Sequence, residues 1–426
     1  MNNKNSVGII GLGYVGLPLA IRFANTGFKV IGFDIDTIKI SKLNNGSSYI
    51  RTIRHETLYK IVREGNFTAT NDFSKIAEVD AIIICVPTPL NKQREPELKY
   101  IKETMKSLLP YIKANQLISL ESTTYPGTTE DIIVPLIEKK GFQVGKDFFV
   151  VYSPEREDPG NEAYSTGNIP KVIGGITNKC LDKGLEIYEQ AIEEMIPVSS
   201  TATAELTKLL ENIYRSVNIG LVNELKLVAD RLGINIYEVI EAAATKPFGY
   251  VPFYPGPGLG GHCIPIDPFY LTWKAREYDV QTKFIELAGE VNTSMPNFVV
   301  QKTFDALNDF SKSINGSYIL ILGLAYKKNV DDTRESPAMK IIDLLQSKGA
   351  IISYSDPYVE EIPSMRNYHF NLKSISVDSE TLKSFDCVIL VTDHDTFDYD
   401  TILEYSKLIV DTRGKFKENY SNVRLA

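Results

Sequence analysis

A thiol lies in the most unusual stretch of the sequence. Residues 254–270 read Y-P-G-P-G-L-G-G-H-C-I-P-I-D-P-F-Y and carry Cys263 among glycines and prolines. Glycine permits backbone conformations that other residues avoid, and proline removes a hydrogen-bond donor, so the stretch predicts a shaped loop. A thiol in such a loop, near a cation or a helix N-terminus, can act as a nucleophile. The alternative is a structural turn with an inert cysteine.

A second set of polar residues has helical spacing. Lys208, Asn212 and Arg215 lie at i, i+4 and i+7 within a long helical segment, residues 201–232, and therefore share one face. An ammonium, an amide and a guanidinium together suit an anion or a developing oxyanion. The alternative is a solvated stripe on an amphipathic helix. The apolar positions that repeat along this segment are Leu206, Leu209, Leu210, Ile213, Val217, Leu221, Leu225 and Val228.

The elements that position these groups begin with a nucleotide-binding pattern. A short apolar strand at residues 7–10 leads into G-L-G-Y-V-G, with Gly11, Gly13 and Gly16, and a helical pattern follows. The glycines give a tight turn, backbone access to a pyrophosphate and close helix packing. Asp34 ends the next strand, where its carboxylate can accept both ribose hydroxyls and would repel a 2′-phosphate. The pattern therefore favours NAD over NADP; an FAD site or a degenerate unit is the alternative.

Three further strands of this first unit end in polar residues. The strand patterns in residues 80–89, 116–129 and 148–156 lead to Thr88, to Thr123, and to Glu155 and Arg156. Open parallel sheets bind ligands at the carboxyl ends of their strands, so these side chains are expected to line one crevice. Solvated loop residues are the alternative at each position.

A second α/β unit begins near residue 317. Strand patterns at residues 317–323, 351–357, 386–394 and 408–411 alternate with helical stretches. Ser336 and Pro337 suit a helix start, the serine as cap and the proline in the first turn. Lys327 and Arg334 lie in the loop before that helix, which favours a second phosphate-bearing ligand over a charged surface loop.

Composition excludes several classes of protein. The 426 residues carry a net charge of -8, which argues against a dedicated nucleic-acid surface. We expect no signal peptide, and no segment approaches the roughly 18 apolar residues of a membrane span. The four cysteines are scattered without a metal or disulfide pattern, and four histidines are too few and too widely spaced to predict a metal site. We therefore expect a cytoplasmic enzyme without a metal.

Together these motifs resemble one family. The sequence contains G-L-G-Y-V-G-L-P-L-A, V-P-T-P, E-S-T-T-Y-P-G, S-P-E-R, the Lys208 and Asn212 pair, G-G-H-C-I-P-I-D-P and D-D-T-R-E-S-P-A, almost from end to end. It thereby resembles the nucleotide-sugar 6-dehydrogenases. The resemblance implies an α/β fold of two Rossmann-like, doubly wound parallel-sheet domains joined by a long central helix and a helical region. Residues 1–200 would bind NAD, residues 201–312 would form a homodimer, and residues 313–426 would bind the UDP-sugar.

The resemblance also implies a four-electron oxidation of a sugar CH2OH to a carboxylate with two NAD. The aldehyde formed first would be attacked by Cys263 to give a thiohemiacetal, then a thioester that water hydrolyses. Lys208 and Asn212 would stabilise the oxyanion. Asp267, Thr123 and Glu155 would orient water and carry protons, and which carboxylate is the base stays open.

The resemblance assigns the remaining contacts in two sets. The residues expected to bind NAD are Gly11, Gly13, Tyr14, Val15, Gly16, Asp34, Lys39, Thr88, Thr123 and Arg334. The residues expected to bind the substrate are Arg156, Glu157, Lys208, Asn212, Arg215, Tyr254, Gly258, Tyr326 and Lys327.

Two departures from the simple UDP-glucose enzymes indicate a branch of the family. Those enzymes often have lysine where this chain has Ile266, and they lack the S-P-E-R-E-D-P-G-N continuation of residues 153–161. Both features resemble the N-acetylhexosamine branch, so UDP-N-acetylglucosamine is favoured. UDP-N-acetylmannosamine comes next and UDP-glucose is a further alternative, with a surface-polysaccharide precursor as product. His262 either tunes the thiol or is a plain loop residue. A two-electron dehydrogenase and an inactive nucleotide-sugar sensor are the alternative hypotheses.

Overall fold

The structure of the chain, a computed structural model, describes residues 5–51, 53–91, 93–156, 164–261, 264–363, 365 and 368–426. The chain forms two compact units. Unit 1 consists of Met1–Glu211 with Phe269–Gln281, and unit 2 of Asn212–Pro268 with Thr282–Ala426. Our three-part division of the sequence stays a prediction.

Unit 1 is built on an eight-stranded sheet. Its strands are β1 (Ser6–Ile10), β2 (Lys29–Phe33), β3 (Phe67–Thr70), β4 (Ala81–Ile84), β5 (Leu117–Leu120), β6 (Phe149–Tyr152), β7 (Lys171–Gly175) and β8 (Met195–Val198). Their spatial order is β3-β2-β1-β4-β5-β6-β7-β8. The first six strands in that order are parallel, which is the arrangement of a doubly wound dinucleotide-binding sheet. The predicted fold class is confirmed.

The far edge of this sheet departs from the parallel arrangement that we expected. β7 pairs antiparallel with β6, with Val151 opposite Gly175 and Tyr152 opposite Gly174, and β8 then pairs parallel with β7. The chain runs in β7 opposite to its direction in β6, and large parallel sheets often carry a strand of opposite direction toward one edge. β3 and β8 were not predicted from the sequence.

Among its described residues before Thr201, unit 1 also contains six α-helices. They are α1 (Gly16–Asn25), α2 (Thr37–Asn44), α3 (His55–Arg63), α4 (Lys99–Leu108), α5 (Val134–Lys139) and α6 (Asn178–Tyr188). Side chains cap the N-termini of two of these helices, because the first N–H groups of a helix lack partners within the helix. Asp36 accepts from the amides of Ile38 and Lys39 at the start of α2, and Thr177 accepts from the amide of Cys180 at the start of α6.

The long helix α7 (Thr201–Leu232) begins in unit 1 and continues in unit 2. Its polar and apolar residues are not distributed as a simple amphipathic pattern predicts. Lys208 and Asn212 are buried, 4% and 0% exposed, so the alternative of a solvated stripe is wrong for both. Leu209 and Ile213 are buried as expected. The large apolar residues of α7 that are instead exposed are Leu206, Leu210, Tyr214, Leu221, Leu225, Val228 and Leu232.

Unit 2 combines helices with a five-stranded parallel sheet. The helices are α8 (Ile236–Ala244), α9 (Asp267–Arg276, counted with unit 1 from Phe269), α10 (Lys283–Asp309), α11 (Pro337–Ser347), α12 (Ser379–Ser384) and α13 (Tyr399–Tyr405). The strands are β9 (Tyr318–Leu322), β10 (Ile351–Ser355), β11 (Cys387–Leu390), β12 (Ile409–Asp411) and β13 (Val423–Leu425), in the order β10-β9-β11-β12-β13.

The predicted helix start in unit 2 is confirmed. The hydroxyl oxygen of Ser336 accepts from the amide of Ala338, and Pro337 occupies the first turn of α11. Within the described ranges, no helix has the length and apolar character needed to cross a membrane.

Candidate active site

The glycine turn between β1 and α1 has the form that a dinucleotide requires. Gly11 has φ +88°, and a Cβ there would lie 2.5 Å from the carbonyl oxygen of Cys85. A Cβ on Gly16 would lie 1.9 Å from the carbonyl oxygen of Gly11. Gly13, in contrast, faces open space with nothing within 4 Å. Two glycines therefore close the turn, while the third leaves the backbone and the N-terminus of α1 open to a pyrophosphate.

The acidic residue that ends β2 is tied to this turn. Oδ2 of Asp34 accepts from the amide of Leu12 at 3.1 Å, and Oδ1 accepts from the amide of Asp36 at 3.0 Å. The carboxylate is half-buried beside the turn, where ribose hydroxyls are expected. The residues present fit NAD.

Tyr49 is a member of this region that the sequence analysis missed. Its hydroxyl donates to the carbonyl oxygen of Leu12, and the Lys39 ammonium lies 5.5 Å from its ring centroid. Burial, together with Asp34 and Asp36, raises the pKa of the Tyr49 hydroxyl above its usual range, so the hydroxyl stays a donor. Tyr49 follows no motif, and only the fold brings it to the turn.

The carboxyl ends of β4 and β5 carry the two predicted threonines. Thr88 is 3% exposed, and its backbone carbonyl accepts from the hydroxyl of Tyr270 at 2.6 Å. Thr123 is half-buried. The turn after Thr123 is fixed by Glu205, whose carboxylate accepts from the amides of Gly127 at 2.6 Å and Thr129 at 2.9 Å. Both threonines therefore lie in a constrained part of the crevice rather than in solvated loops.

Beyond β6, the S-P-E-R turn meets α7 through two charged pairs. Nζ of Lys208 lies 2.5 Å from the backbone oxygen of Glu155 and 3.2 Å from its carboxylate Oε2. The Arg156 guanidinium pairs with the carboxylate of Glu211, with Nε 2.9 Å from Oε1. Lys208 is thus held as a buried ammonium, and Arg156 is engaged within the protein; their predicted contacts with substrate stay predictions.

Glu155 and Arg156 of these pairs also line a partly open pocket in unit 1. The residues that line it are Val15, Leu19, Glu121, Glu155, Arg156, Thr166, Ile169 and Lys171. The pocket therefore joins the start of α1, where the dinucleotide is expected, to the S-P-E-R turn.

In unit 2, α7 carries the second pair of predicted catalytic groups. Nδ2 of Asn212 donates to Oδ2 of Asp267 at 2.5 Å, and both side chains are buried, 0% and 2% exposed. The Asn212 oxygen accepts from the guanidinium of Arg215. Because its oxygen is occupied by Arg215, the amide is fixed with its nitrogen toward the carboxylate.

The glycine-rich loop packs against the segment that precedes α11. A Cβ on Gly260 would lie 2.5 Å from Cβ of Tyr326, and one on Gly258, where φ is +141°, would lie 3.1 Å from Cβ of Pro337. The amide of Gly261 donates to the carbonyl oxygen of Arg334 at 2.9 Å. The predicted shaped loop is therefore confirmed for the described residues up to 261.

Three predicted residues fall outside the described residues. They are Glu157, His262 and Cys263. Their roles stay predictions.

The predicted basic residues of unit 2 differ in their surroundings. Lys327 is half-buried in the loop after β9. Arg334 is 45% exposed in its side chain and pairs with Asp332, Nη2 lying 2.6 Å from Oδ2. Arg413 was missed by the sequence analysis: its Nη1 lies 3.0 Å from the position of a Cβ on Gly256. No motif marked it, because it follows β12, far along the chain from the loop.

Among the described residues, no group of three or more His, Cys, Asp or Glu side chains could hold a metal ion. The fold and the open glycine turn define the class of protein as one that binds a dinucleotide.

Comparison with known proteins identifies the family. The chain matches the UDP-glucose/GDP-mannose dehydrogenase family in its NAD binding domain over residues 5–192, its central domain over 202–294 and its UDP binding domain over 320–418. The chain belongs to this family and is an NAD-dependent UDP-sugar dehydrogenase.

Its relatives include enzymes for two N-acetylated sugars. It is 35% identical to the UDP-N-acetyl-D-mannosamine dehydrogenase of Methanococcus vannielii, over 96% of this chain and 93% of that one. It is 34% identical to the UDP-N-acetyl-D-glucosamine 6-dehydrogenase of Salmonella typhi, over 92% and 90%. The solved structure of the UDP-ManNAc dehydrogenase from Pyrococcus horikoshii is similar, with a TM-score of 0.89, 32% identity, and 99% and 98% covered.

Proposed function

We propose that this enzyme oxidises C6 of a UDP-N-acetylhexosamine to the carboxylate in two successive steps on one thiol. The observation that carries the proposal is the pair of buried polar residues on successive turns of α7. Lys208 is hydrogen-bonded to Glu155, and Asn212 to Asp267. An enzyme that kept only nucleotide binding would have no need to bury an ammonium and a hydrogen-bonded amide–carboxylate pair, because such groups are costly to bury.

NAD, when bound, accepts a hydride from C6 in each oxidation, so that CH2OH, two NAD+ and one water become a carboxylate, two NADH and three protons. In the proposal, the Cys263 thiolate adds to the aldehyde carbon after the first oxidation, and its C–S bond is broken by water after the second. Lys208 and Asn212 stabilise the negative oxygen at C6, each contributing on the order of 10²-fold in rate.

The proton transfers are assigned to the carboxylates that these residues contact. Glu155 is within hydrogen-bond reach of Lys208 and is proposed to exchange a proton with it. Asp267, held by Asn212, is proposed to orient the water that releases the product. Thr123 is proposed to assist, because it lies at the carboxyl end of β5.

The proposed substrate is N-acetylated at C2. Ile266 and the S-P-E-R-E-D-P-G-N sequence favoured UDP-N-acetylglucosamine. Relatives named UDP-N-acetyl-D-mannosamine dehydrogenase, at 34–36% identity, support UDP-N-acetylmannosamine as the first substrate to test, with UDP-N-acetylglucosamine second. The product is proposed to serve surface-polysaccharide synthesis in the cytoplasm.

The test is the amount of NADH formed per sugar consumed. UDP-N-acetylmannosamine, UDP-N-acetylglucosamine and UDP-glucose are supplied separately in limiting amount, with Cys263→Ser as the matched variant. Two NADH per sugar with one N-acetylated substrate, and no carboxylate from Cys263→Ser, are expected. One NADH per sugar, or full turnover without the thiol, would instead support a two-electron dehydrogenase.

We further propose that the enzyme is a homodimer in which α7 contacts its counterpart. Leu221, Leu225, Val228 and Leu232 recur at spacings of four and three residues and are 44–66% exposed. A stripe of this spacing is the seam of helix pairing, and a row of exposed large apolar residues marks a contact surface. A second copy presents the same stripe, so the contact is self-complementary.

A further inference from the structure

A buried ion pair in unit 1 has no place in the mechanism proposed above. Nζ of Lys171, the first residue of β7, lies 2.9 Å from Oε2 of Glu121, which follows β5. Their side chains are 9% and 1% exposed. Burying two charges costs several kcal/mol before their attraction is counted, and an apolar pair is often as stable. Stability alone therefore does not explain why this chain places the two charges there.

The second oxygen of the Glu121 carboxylate also has a hydrogen-bond donor. The hydroxyl of Tyr188 donates to Oε1 of Glu121 at 2.6 Å and is also hydrogen-bonded to Ser119 Oγ. Burial and the adjacent Glu121 raise the pKa of Tyr188 well above its ordinary value, so its hydroxyl remains a donor. Glu121 is thus held from both sides, and its position fixes the direction of the Lys171 Nζ.

That direction leads to the S-P-E-R turn. Nζ of Lys171 also donates to the carbonyl oxygen of Pro154 at 3.0 Å, and Pro154 directly precedes Glu155. Nη1 of Arg156 donates to the carbonyl oxygen of Pro170 at 2.6 Å, and Pro170 directly precedes Lys171. The two segments therefore exchange charge-assisted hydrogen bonds in both directions, which are stronger than neutral ones.

The turn held in this way presents its next residue to α7. Lys208 contacts both the backbone oxygen and the carboxylate of Glu155, so a displacement of the Pro154 carbonyl would move both contacts. The same ion pair also lines the pocket described above, together with Glu155.

We propose that Lys171, with its charge balanced by Glu121, is a positioning residue that fixes the backbone before Glu155 and so sets the geometry of the Glu155–Lys208 pair. It touches neither substrate nor NAD in this role. The inference rests on the proposed function of Glu155 and Lys208. Its consequence is selective: the chemical step depends on Lys171, while binding of the nucleotide and of the UDP moiety does not.

The test compares variants that treat the charge and the hydrogen bond differently. Lys171→Met with Glu121→Gln removes both charges, avoids an unpaired buried carboxylate and deprives the Pro154 carbonyl of its donor. Exchanging the two residues, Glu121→Lys with Lys171→Glu, keeps an ion pair but places no donor at position 171. Lys171→Arg keeps charge and donors. Lys183→Met, which removes a partly exposed pair with Glu186 on α6, is the matched control.

Wild type is first measured with the three UDP-sugars, so that absence of turnover there would count against the proposed function and not against this inference. On the sugar that it oxidises, the neutral double variant and the exchange are expected to lose about tenfold to a hundredfold in kcat, with KM changed less than threefold. Lys171→Arg is expected to stay within threefold of wild type, as is Lys183→Met. NADH affinity, measured by fluorescence, is expected to be unchanged throughout.

Unchanged kcat in the folded neutral double variant would overturn the inference. So would a fall in kcat accompanied by an equal loss of NADH affinity, because that result indicates general damage to unit 1. Recovery of full kcat by the exchanged pair would also overturn it, since the exchange restores charge balance without restoring a donor to Pro154.

Discussion

Nδ2 of Asn212 donates to Oδ2 of Asp267 at 2.5 Å, and neither side chain is more than 2% exposed. The oxygen of the same amide is taken by Arg215, so Asn212 cannot turn its oxygen toward the carboxylate without losing that contact. Asp267 is therefore held as an acceptor by a neighbour with a fixed direction. Because asparagine and aspartate have the same shape, exchanging one for the other tests the contribution of charge to the reaction without a change of volume.

Replacing the carboxylate should affect the reaction more than binding. Asp267→Asn keeps the volume and can still accept from Asn212, but it removes the charge and the site for a proton. We expect kcat to fall about a hundredfold or more, with KM for the UDP-sugar changed less than threefold. Steady-state kinetics on purified protein measure this, with Asp305→Asn on α10 as an exposed control. Retention of more than a third of kcat would show that Asp267 carries no proton.

Glu205 should make stability depend on pH. Burial raises its pKa to about 7, although hydrogen bonds from Thr129 and Gly127 oppose the shift. The folded state then binds a proton that the unfolded state has released, so the free energy of unfolding falls as pH rises from about 4.5 to about 7. At about 1.4 kcal/mol per pKa unit the fall is roughly 3 kcal/mol.

The urea-unfolding midpoint between pH 4.5 and 8 measures this dependence. Glu205→Gln cannot titrate, so the wild-type midpoint should decline relative to the variant across that interval. Glu130→Gln, an exposed neighbour, should follow wild type. Parallel curves for wild type and Glu205→Gln would contradict the prediction.

Lys226 on α7 should have the opposite dependence. Its Nζ has no hydrogen-bond partner among the residues that the structure describes, and it lies 5.8 Å from the ring centroid of Tyr237. Burial lowers its pKa to about 7, with Asp411 opposing the shift. The folded state releases a proton that the unfolded chain keeps up to about pH 10.5, so the free energy of unfolding should rise from pH 7 toward pH 10.

Lys226→Met keeps the apolar stem without the buried amine. It should raise the unfolding midpoint at pH 7 by the equivalent of about 1–3 kcal/mol, and the gain should shrink toward pH 10. Lys302→Met, which breaks a 2.7 Å pair with Asp230, should lower the midpoint slightly at every pH. A destabilised Lys226→Met protein at pH 7 would show that the amine has a stabilising partner.

His394 should control UDP affinity through one nitrogen. The ring is fully buried; Nδ1 accepts from the amide of Asn329 at 2.9 Å, and Nε2 is 3.0 Å from Oδ2 of Asp356. Because Nδ1 is an acceptor, the ring proton is on Nε2. Asp356 also accepts from the amides of Leu324 and Ala325, so the two residues hold both ends of the segment that carries Lys327.

Two substitutions distinguish the nitrogens. His394→Asn keeps an acceptor near Asn329, whereas His394→Gln keeps a donor near Asp356. We expect the asparagine variant to bind UDP within threefold of wild type and the glutamine variant to bind about tenfold more weakly, by titration calorimetry. NADH affinity should be unchanged in both. Equal affinities of the two variants for UDP would contradict the prediction that this histidine supports the proposed diphosphate contact.

The apolar stripe on α7 should control the oligomeric state. Leu225→Glu with Val228→Glu places charges in the stripe and is expected to give a monomer by light scattering, while wild type is expected to be a dimer. Ile351→Glu, at an exposed apolar position of β10, is the control and should leave the dimer intact. A wild-type monomer, or a dimeric double variant, would contradict the proposed contact.

The sequence predicted the parts of the molecule that depend on local geometry. The glycines at residues 11, 13 and 16, and the Ser336–Pro337 helix start, follow from backbone conformations that few residues permit. The antiparallel direction of β7 was not predictable, because it depends on how the chain returns to the edge of the sheet. Tyr49, Glu205 and Lys171 were missed for a related reason: their partners are far away along the chain.

The long helix shows a different failure of sequence reasoning. Hydrophobic periodicity assumes that apolar residues face a core and polar residues face water. α7 buries Lys208, Asn212 and Glu205 and exposes Leu221 and Leu225. A helix proposed to serve a reaction on one face and to contact a second copy on another does not follow that assumption, so its burial could be read only from the structure.

The close fit between the glycine-rich loop and the rest of unit 2 has a consequence for biosynthesis. Gly256, Gly258 and Gly260 are shaped by Arg413, Pro337 and Tyr326, which lie far downstream. During translation the loop leaves the ribosome long before the surfaces that mould it. A nascent or truncated chain would thus hold the residues of the loop without its form, and the nucleophilic role proposed for its thiol would begin only once synthesis is complete.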